Sequence, residues 1–391
     1  MNDIGKYHQK EYDTAPSVII EAPQVMTLLG GFSDCVKGFC LMSTNDYGMR
    51  IAISKRDDNT VKIQNITKQD KKKFLISNIK YRKEDRWANA AKAILFELVL
   101  SGYELTGMNI TVKGPSAIGD NASFSASIFA GLLVGVNKLF DLNLDADMML
   151  KLAFNANRFS ELFQARLRDL ITIFTSRKGN MIFFDLESYD YKIIEYPFSS
   201  LPELKSILIS TSLPYSVLTP EMEEFRVSVN SVLQEVKSRL PKGFKIRELT
   251  EHQIRQELRL KPELERRQLM YVVEESMLAK TAYDAIINKD YESFGKLMNT
   301  EQKNLFTKAE LTSPEIDWIV RKASEINGVF GLCQVFVGLA GTLISLIDSS
   351  LDFSYTVRLE EYERIFGFHA TIRPYIPSGG VRLVEDEDSS C

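Results

Sequence analysis

A small-residue loop between an apolar strand and an apolar helix is the part of this sequence whose residue types most directly indicate binding chemistry. The loop runs from Lys113 to Gly119 and is followed by Asp120, Asn121 and Ser123. A strand, a loop with glycine and proline, and a helix together present backbone N–H groups to an anion. The same three polar side chains are ordinary helix N-cap residues, which stabilise a helix by about 1 kcal/mol without any ligand. The segment therefore predicts either a phosphate-binding loop or a capped helix, and the cap alone accounts for the residue types.

Strands and helices alternate along the whole chain around this loop. Apolar alternation and β-branched runs predict strands, and apolar residues at helical spacing predict helices. We expect strands at 17–21, 39–56, 61–66, 105–112, 181–196, 206–212 and 342–347, helices at 87–101, 122–139, 221–239 and 263–288, and a closing helix and strand within 362–375. A hairpin turn is expected at 55–59, and Lys71-Lys72-Lys73 is typical of a solvated hairpin tip. This interleaving favours an α+β fold with two packed lobes over a doubly wound sheet.

Composition and charge exclude several classes of function. The chain has 391 residues, 45% hydrophobic content and a net charge of −4, with no dense basic stripe, which argues against a nucleic-acid-binding surface. The N-terminus lacks the apolar core of a signal peptide, and no run is long enough to span a bilayer, so the cytoplasm is the expected compartment. The four cysteines have no metal-ligand spacing, and free thiols suit a reducing compartment.

Residues 22–39, with Ala22-Pro23, Gly30, Asp34 and Gly38-Phe39 at fixed spacing, resemble the entry loop of a known family. In galactokinases, sugar kinases of the GHMP superfamily, this entry loop contains Leu-Ile-Gly-Glu-His-Thr-Asp-Tyr-Asn-Gly-Gly-Phe. Further resemblances follow in order at 87–92, 266–274, 294–298, 313–317 and 377–380. The sequence therefore resembles the galactokinase family over essentially its whole length. Without a gap, the entry loop matches at Ala22, Pro23, Leu28, Gly30, Asp34, Gly38 and Phe39.

The resemblance implies a fold and a reaction. It implies a GHMP-kinase-like α+β fold of two lobes with mixed sheets flanked by helices, which we place at 1–204 and 205–391. The ancestral reaction is ATP-dependent phosphorylation of galactose or a related sugar, with ATP and Mg²⁺ as cofactors if the chain is active. A sugar and a nucleotide are then the expected small-molecule partners, with neither a nucleic acid nor a membrane.

The resemblance also assigns candidate site residues. Asp169 falls on the aspartate taken as the base near the sugar hydroxyl, and Asp34 on a sugar-binding aspartate. Each has a purely structural alternative: a surface ion-pair cluster with Arg166 and Arg168 for Asp169, and a local turn for Asp34. The nucleotide side would comprise Trp87, Gly119, Asn121 and Ser123, although a tryptophan leading an amphipathic helix also suits core packing. No metal ligand is assigned.

Several working positions of the family carry different residues here. Val25 stands where galactokinases have a catalytic-site arginine, Gly31-Phe32 where they have the sugar-binding Glu-His pair, and Phe336-Val337 where their third motif has Gly-Ala. Arg166 or Arg168 could replace the missing guanidinium from another backbone position. Two hypotheses follow: a diverged sugar kinase with weakened or lost turnover, or a non-catalytic homologue that serves as a sugar or nucleotide sensor or as a protein-interaction module.

Overall fold

The structure is a computed structural model that describes residues 3–114, 122–160, 164–213, 219–335 and 341–384. Within these ranges the longer helices are α1 (Asp3–Tyr12), α2 (Ala88–Leu100), α3 (Ala122–Phe140), α4 (Ala146–Asn155), α5 (Leu167–Thr175), α6 (Thr219–Arg239), α7 (Glu251–Glu257), α8 (Glu263–Ile287), α9 (Tyr291–Asn304), α10 (Pro314–Ser324) and α11 (Asp352–Phe366). The strands are β1 (Val18–Leu29), β2 (Phe39–Lys55), β3 (Thr60–Asn65), β4 (Asp70–Leu75), β5 (Met108–Lys113), β6 (Asn180–Asp185), β7 (Asp190–Glu195), β8 (Leu204–Ser210), β9 (Val329–Gln334), β10 (Thr342–Asp348), β11 (Thr371–Pro374) and β12 (Arg382–Leu383).

The first of two compact units comprises described parts of 1–25, 44–178 and 378–391. Its strands follow the order β12-β1-β2-β5-β3-β4, with β3 and β5 parallel and the β2–β5 and β3–β4 pairs antiparallel. Apolar strand residues such as Ile51 and Ile110 and helix residues such as Ile94 and Phe129 form one fully buried cluster. The burial of this face is what holds α2 and α3 in the unit.

The second unit comprises described parts of 26–43 and 179–377. Its hairpin β6–β7 pairs with the beginning of β2, where Phe39 lies opposite Asp185 and Met42 opposite Ile182. A separate antiparallel sheet has the order β11-β8-β10-β9. Helices α8 and α9 pack within the same unit, and Ala282 and Phe294 share a buried cluster with strand residues of both its sheets.

The expected fold class is confirmed, because the sheets are mixed and helices flank them. The compact units, however, change at residues 178/179 rather than near 205, and 26–43 groups with the later part of the chain. The reason is local: β6 pairs with residues 39–42, and Met181 and Phe183 of β6 pack in the same apolar cluster as Leu208.

Two local expectations are wrong. Lys71-Lys72-Lys73 is not a hairpin tip but lies within β4, opposite residues 62–64 of β3. Residues 55–59 do not close a β-hairpin, because β5 lies between β2 and β3 in the sheet. Local turn residues alone do not reveal such an insertion, since it depends on a strand some 50 residues further along the chain. In the parts of the chain that the structure describes, none of the helices combines the length and apolar character needed to cross a membrane.

Candidate functional site

The entry loop joins β1 to β2 and is fastened to helix α8. Gly30 has a left-handed φ of 86°, a 3₁₀ turn spans Ser33–Val36, and β2 begins at Phe39. The Phe32 N–H donates to Glu275 Oε2 at 3.0 Å, and the Phe39 N–H donates to Ser276 Oγ at 3.0 Å. Two adjacent residues of one helix therefore hold both ends of the turn.

Gly38 is required by the same contact. A Cβ built on Gly38 would lie 2.6 Å from Ser276 Cβ, a separation that packed carbon atoms do not tolerate. This glycine matches the family pattern, and its physical reason is the close approach of the loop to α8. The sequence alone identifies the glycine but not its neighbour.

Phe32 is a core residue of the second unit. Its side chain is 0% exposed, and its ring centroid lies 4.8 Å from that of Phe225 and 6.2 Å from that of Tyr271 in edge-to-face arrangements. Aromatic pairs of this geometry stabilise by about 0.5–1.5 kcal/mol beyond the area they bury. The position that carries histidine in the galactokinase pattern is therefore apolar and packed in this chain.

Asp34 lies in the 3₁₀ turn next to a cation. Arg226 of α6 places Nη1 3.2 Å from Asp34 Oδ2, and its guanidinium lies 4.7 Å from the centroid of the Phe32 ring. Asp34 keeps 34% of its side chain exposed. Sequence reasoning missed Arg226, because 192 residues separate it from Asp34 and only the fold brings them together.

Asp169 lies in the first turn of α5, where its N–H donates to the Arg166 carbonyl at 3.0 Å. Its carboxylate is 3.8 Å from Arg168 Nε. The expected ion pair is present, but it is not on the surface: Arg168 is 2% and Asp169 5% exposed. The surface alternative for Asp169 is therefore wrong, and the candidate base is a buried carboxylate beside a buried guanidinium.

The polar side chains of the Trp87–Lys92 segment form hydrogen bonds and an ion pair within the first unit. Trp87 is 1% exposed and donates its indole N–H to Asp70 Oδ2 at 2.9 Å. Asn89 donates to the Arg82 carbonyl at 2.7 Å. Lys92 donates to the Lys80 carbonyl at 2.9 Å and pairs with Asp85. These contacts support the core-packing alternative for Trp87 and fix the irregular segment between β4 and α2.

The chain is similar to galactokinases in sequence and structure, although no protein-family model matches it. It is 27% identical to a Treponema pallidum protein assigned as a galactokinase, over 98% of this chain and 97% of the relative. It is 26% identical to the Pyrococcus furiosus galactokinase, over 93% and 99% of the two chains. The Lactococcus lactis galactokinase, solved in complex with galactose, superposes with a TM-score of 0.85 at 20% identity, covering 97% of this chain and 98% of that one. The chain is thus similar to galactokinases over nearly its whole length, in sequence and in fold.

More distant kinases share the fold of this chain. The Methanococcus jannaschii mevalonate kinase superposes with a TM-score of 0.65 at 18% identity, covering 94% of this chain and 98% of the other. At that identity the likeness concerns the fold alone. It agrees with the GHMP-kinase-like architecture expected from the sequence.

Several predicted site positions of the chain lie outside the described residues. They are Gly119 and Asn121 of the candidate phosphate loop and Phe336 and Val337 of the third motif. Ser123 belongs to α3, but its side chain is not among those described. Val25, at the position of the family arginine, is 2% exposed. Among the described residues, no group of three or more His, Cys, Asp or Glu side chains is arranged to hold a metal ion.

A pair of buried carboxyl groups supports the entry loop from behind. Glu275, which accepts the Phe32 N–H, is 0% exposed, and Glu301 of α9 is 2% exposed. The Tyr271 hydroxyl donates to Glu301 Oε1 at 2.8 Å. Burial, followed by the charge of Glu275, raises the pKa of Glu301 well above its ordinary value. Of the two buried carboxyl groups, Glu275 is the one that accepts directly from the entry loop.

Proposed function

We propose that this chain descends from an ATP-dependent sugar kinase and that its phosphorylation of galactose is strongly weakened or lost. The observation that carries the proposal is Phe32. At a position where the galactokinase pattern has a sugar-binding histidine, the chain has a fully buried aromatic ring, whose side chain carries no nitrogen or oxygen atom to bind a sugar hydroxyl. Gly31, in place of the neighbouring glutamate, has no side chain to substitute for it.

The expected energetic effect is large. Net hydrogen bonds to charged groups contribute about 1.5–3 kcal/mol each. Removing one pre-organised donor that acts on the transition state lowers turnover by about 10²–10³. The replacement of the family arginine by Val25 acts on the transferring group, and the replacements at Gly31 and Phe32 act on the acceptor. Losses at separate parts of one site need not add fully, but each is sufficient to impair turnover.

Two polar residues at positions of the galactokinase pattern support a kinase ancestry. Asp169, buried beside Arg168, has the residue type of a base that accepts the acceptor hydroxyl proton. Asp34, paired with Arg226, retains an acceptor for a sugar hydroxyl. On the nucleotide side, helix α3 begins at Ala122 directly after the small-residue loop, and its N-terminus would favour a phosphate group. When bound, ATP with Mg²⁺ would supply the phosphoryl group, and we assign no protein ligand to the metal.

A turnover assay tests the proposal. The full chain is incubated with ATP, Mg²⁺ and a panel of sugars including galactose, and sugar phosphate is followed by ³¹P NMR, with the Pyrococcus furiosus galactokinase as the active reference. We expect galactose turnover at least about 10³-fold below the reference, since more than one catalytic group is replaced. Turnover within about tenfold of the reference, abolished by Asp169→Asn, would contradict weakened function and support Asp169 as the base.

Ligand-dependent stability separates a weakened kinase from a sensor. The loop anchors Glu275 and Ser276 favour a retained binding frame. A ligand at about 100 times its Kd stabilises the folded state by about 2.7 kcal/mol. A rise in melting temperature with ATP, ADP or a sugar, without turnover, would support the sensor. No rise with any nucleotide or sugar would exclude the sensor and leave a protein-interaction role.

A further inference from the structure

A strongly basic pocket lies beside the entry loop in the second unit. It has a volume of about 440 Å³ and is bounded by the loop residues Val36 and Lys37, the end of α6 and residues 240–247. Five of its twelve lining residues are cationic and one, Glu187, is anionic. The cationic residues of this basic pocket are Lys37, Lys237, Lys242, Lys245 and Arg247. The whole chain, by contrast, has a net charge of −4.

Arg247 is a fixed element of the basic pocket. It is 7% exposed, and its guanidinium donates to Asp185 Oδ1 at 2.6 Å, lies 3.0 Å from Glu187 Oε2 and donates to the Lys37 carbonyl at 3.1 Å. Its carbon atom Cζ lies 4.3 Å from the centroid of the Phe39 ring. A guanidinium with this many partners is immobile, so it connects one wall of the pocket rigidly to the entry loop.

Lys37 adopts a backbone conformation that lysine disfavours. Its φ is 52° in the left-handed region, and the galactokinase pattern has glycine at this position. Such a conformation is strained for a non-glycine residue and persists only where surrounding contacts hold it. The hydrogen bond from Arg247 to the Lys37 carbonyl is one such contact. A lysine is thus kept at the pocket although glycine would relieve the strain.

Three of the ammonium groups are available to a ligand. Lys245 pairs with Glu187 at 2.9 Å. For Lys37, Lys237 and Lys242, the described part of the chain contains no ion pair or hydrogen bond to the ammonium group. All three side chains belong to exposed residues that line the same pocket. Clustered like charges repel each other, and a multiply charged anion relieves that repulsion.

We propose that the basic pocket binds a small soluble molecule that carries at least two phosphate-type negative charges. The ammonium groups of Lys37, Lys237 and Lys242 contact its anionic oxygens, and the apolar side chains of Val36 and Phe244 exclude water on one side. Lysine recognises phosphate as a point charge without a fixed geometry, which suits three mobile side chains around a rigid wall. The proposal does not depend on kinase activity.

Lysine footprinting with inorganic pyrophosphate locates the binding. The full chain is acetylated briefly with and without pyrophosphate, at constant ionic strength, and the modified lysines are quantified by mass spectrometry. We expect pyrophosphate to slow acetylation of Lys37, Lys237 and Lys242 by about fivefold or more, because acetylation requires the neutral amine and a bound phosphate favours the protonated form and shields it. Lys10, Lys138 and Lys151, exposed lysines of the first unit, should be unaffected. Equal protection of both sets, or of neither, would overturn the proposal.

A matched pair of triple variants tests the affinity. One replaces Lys37, Lys237 and Lys242 by glutamine, and the control replaces Lys10, Lys138 and Lys151 by glutamine, so that both lose the same charge. In calorimetric titration with pyrophosphate, we expect the first variant to lose this binding by at least about tenfold and the control to retain it, because the effect is local. Equal losses in the two variants would indicate a general charge effect and would contradict a built site. Any pyrophosphate bound at the candidate kinase site is common to both variants.

Discussion

The Trp87–Lys92 segment and the entry loop maintain their conformations by opposite means. In the Trp87–Lys92 segment, the side chains that match the galactokinase pattern are present. Trp87, Asn89 and Lys92 donate hydrogen bonds to groups that lie earlier in the chain, between β4 and α2 or at the start of β4. In the entry loop, the side chains at positions 31 and 32 differ from the galactokinase pattern, but Glu275 and Ser276 of α8 accept hydrogen bonds from the loop backbone. The comparison teaches that a backbone can be fastened either by the side chains that match the pattern, as at Trp87–Lys92, or by a neighbouring helix where residues 31 and 32 differ from the pattern.

The largest loss of folding stability is expected on substitution of Lys92. Its ammonium is 2% exposed and pairs with Asp85, so Lys92→Ala leaves a largely buried carboxylate without its cation. Breaking a buried pair from one side costs about 3–5 kcal/mol. Urea unfolding should show this loss of free energy of unfolding, with the exposed Lys83→Ala as the control. A loss below about 1 kcal/mol would show that the segment does not depend on its retained side chains.

The next largest loss of stability is expected at Phe32, which occupies the position of the histidine in the galactokinase pattern. Phe32→His restores the residue type of the family, but it places a polar ring among Phe225 and Tyr271. Burying a polar group without a partner costs about 1–3 kcal/mol, and we expect that loss in urea unfolding and no gain in galactose turnover. A stable Phe32→His protein that phosphorylates galactose faster would show that the loop is still arranged as a sugar site.

Gly38→Ala tests the anchor of the loop. The added methyl group would overlap Ser276, and such overpacking costs about 1–3 kcal/mol. In a Ser276→Gly background the same substitution should cost less, because the overlapping side chain is absent. A double-mutant cycle by thermal unfolding measures this coupling. Equal costs in both backgrounds would mean that the loop does not rest on Ser276.

The smallest effect concerns the Trp87 indole and depends on pH. Burial opposes ionisation of Asp70, but hydrogen bonds from Trp87 and Lys72 outweigh it and lower the pKa of the Asp70 carboxyl. Because the folded-state pKa is depressed, this stabilisation is present above the ordinary pKa of about 4 and is lost as pH falls through the lower folded value. Trp87→Phe should cost about 1–2 kcal/mol at pH 7 and less once the pH has fallen through the lowered folded-state pKa of Asp70. A cost independent of pH would exclude the hydrogen bond as its source.

Periodicity and family pattern predicted much of this fold and less of the candidate site. Helices α2, α3, α6 and α8 were expected almost at their observed bounds, because each has a long apolar face. The sequence did not indicate β4, because three consecutive lysines hide its alternation between half-buried and exposed residues. Arg226, Glu275 and Arg247 act across about 60 to 240 residues of sequence, and no local signal identifies such partners.

Galactose binding, measured by calorimetric titration of the full chain, tests the central claim most directly. If the entry loop keeps its anchors without its sugar-binding groups, the titration should show no saturable heat up to about 10 mM galactose, which corresponds to less than about 3 kcal/mol of binding free energy. Saturable binding with a Kd below about 1 mM, removed by Asp34→Asn, would contradict the account.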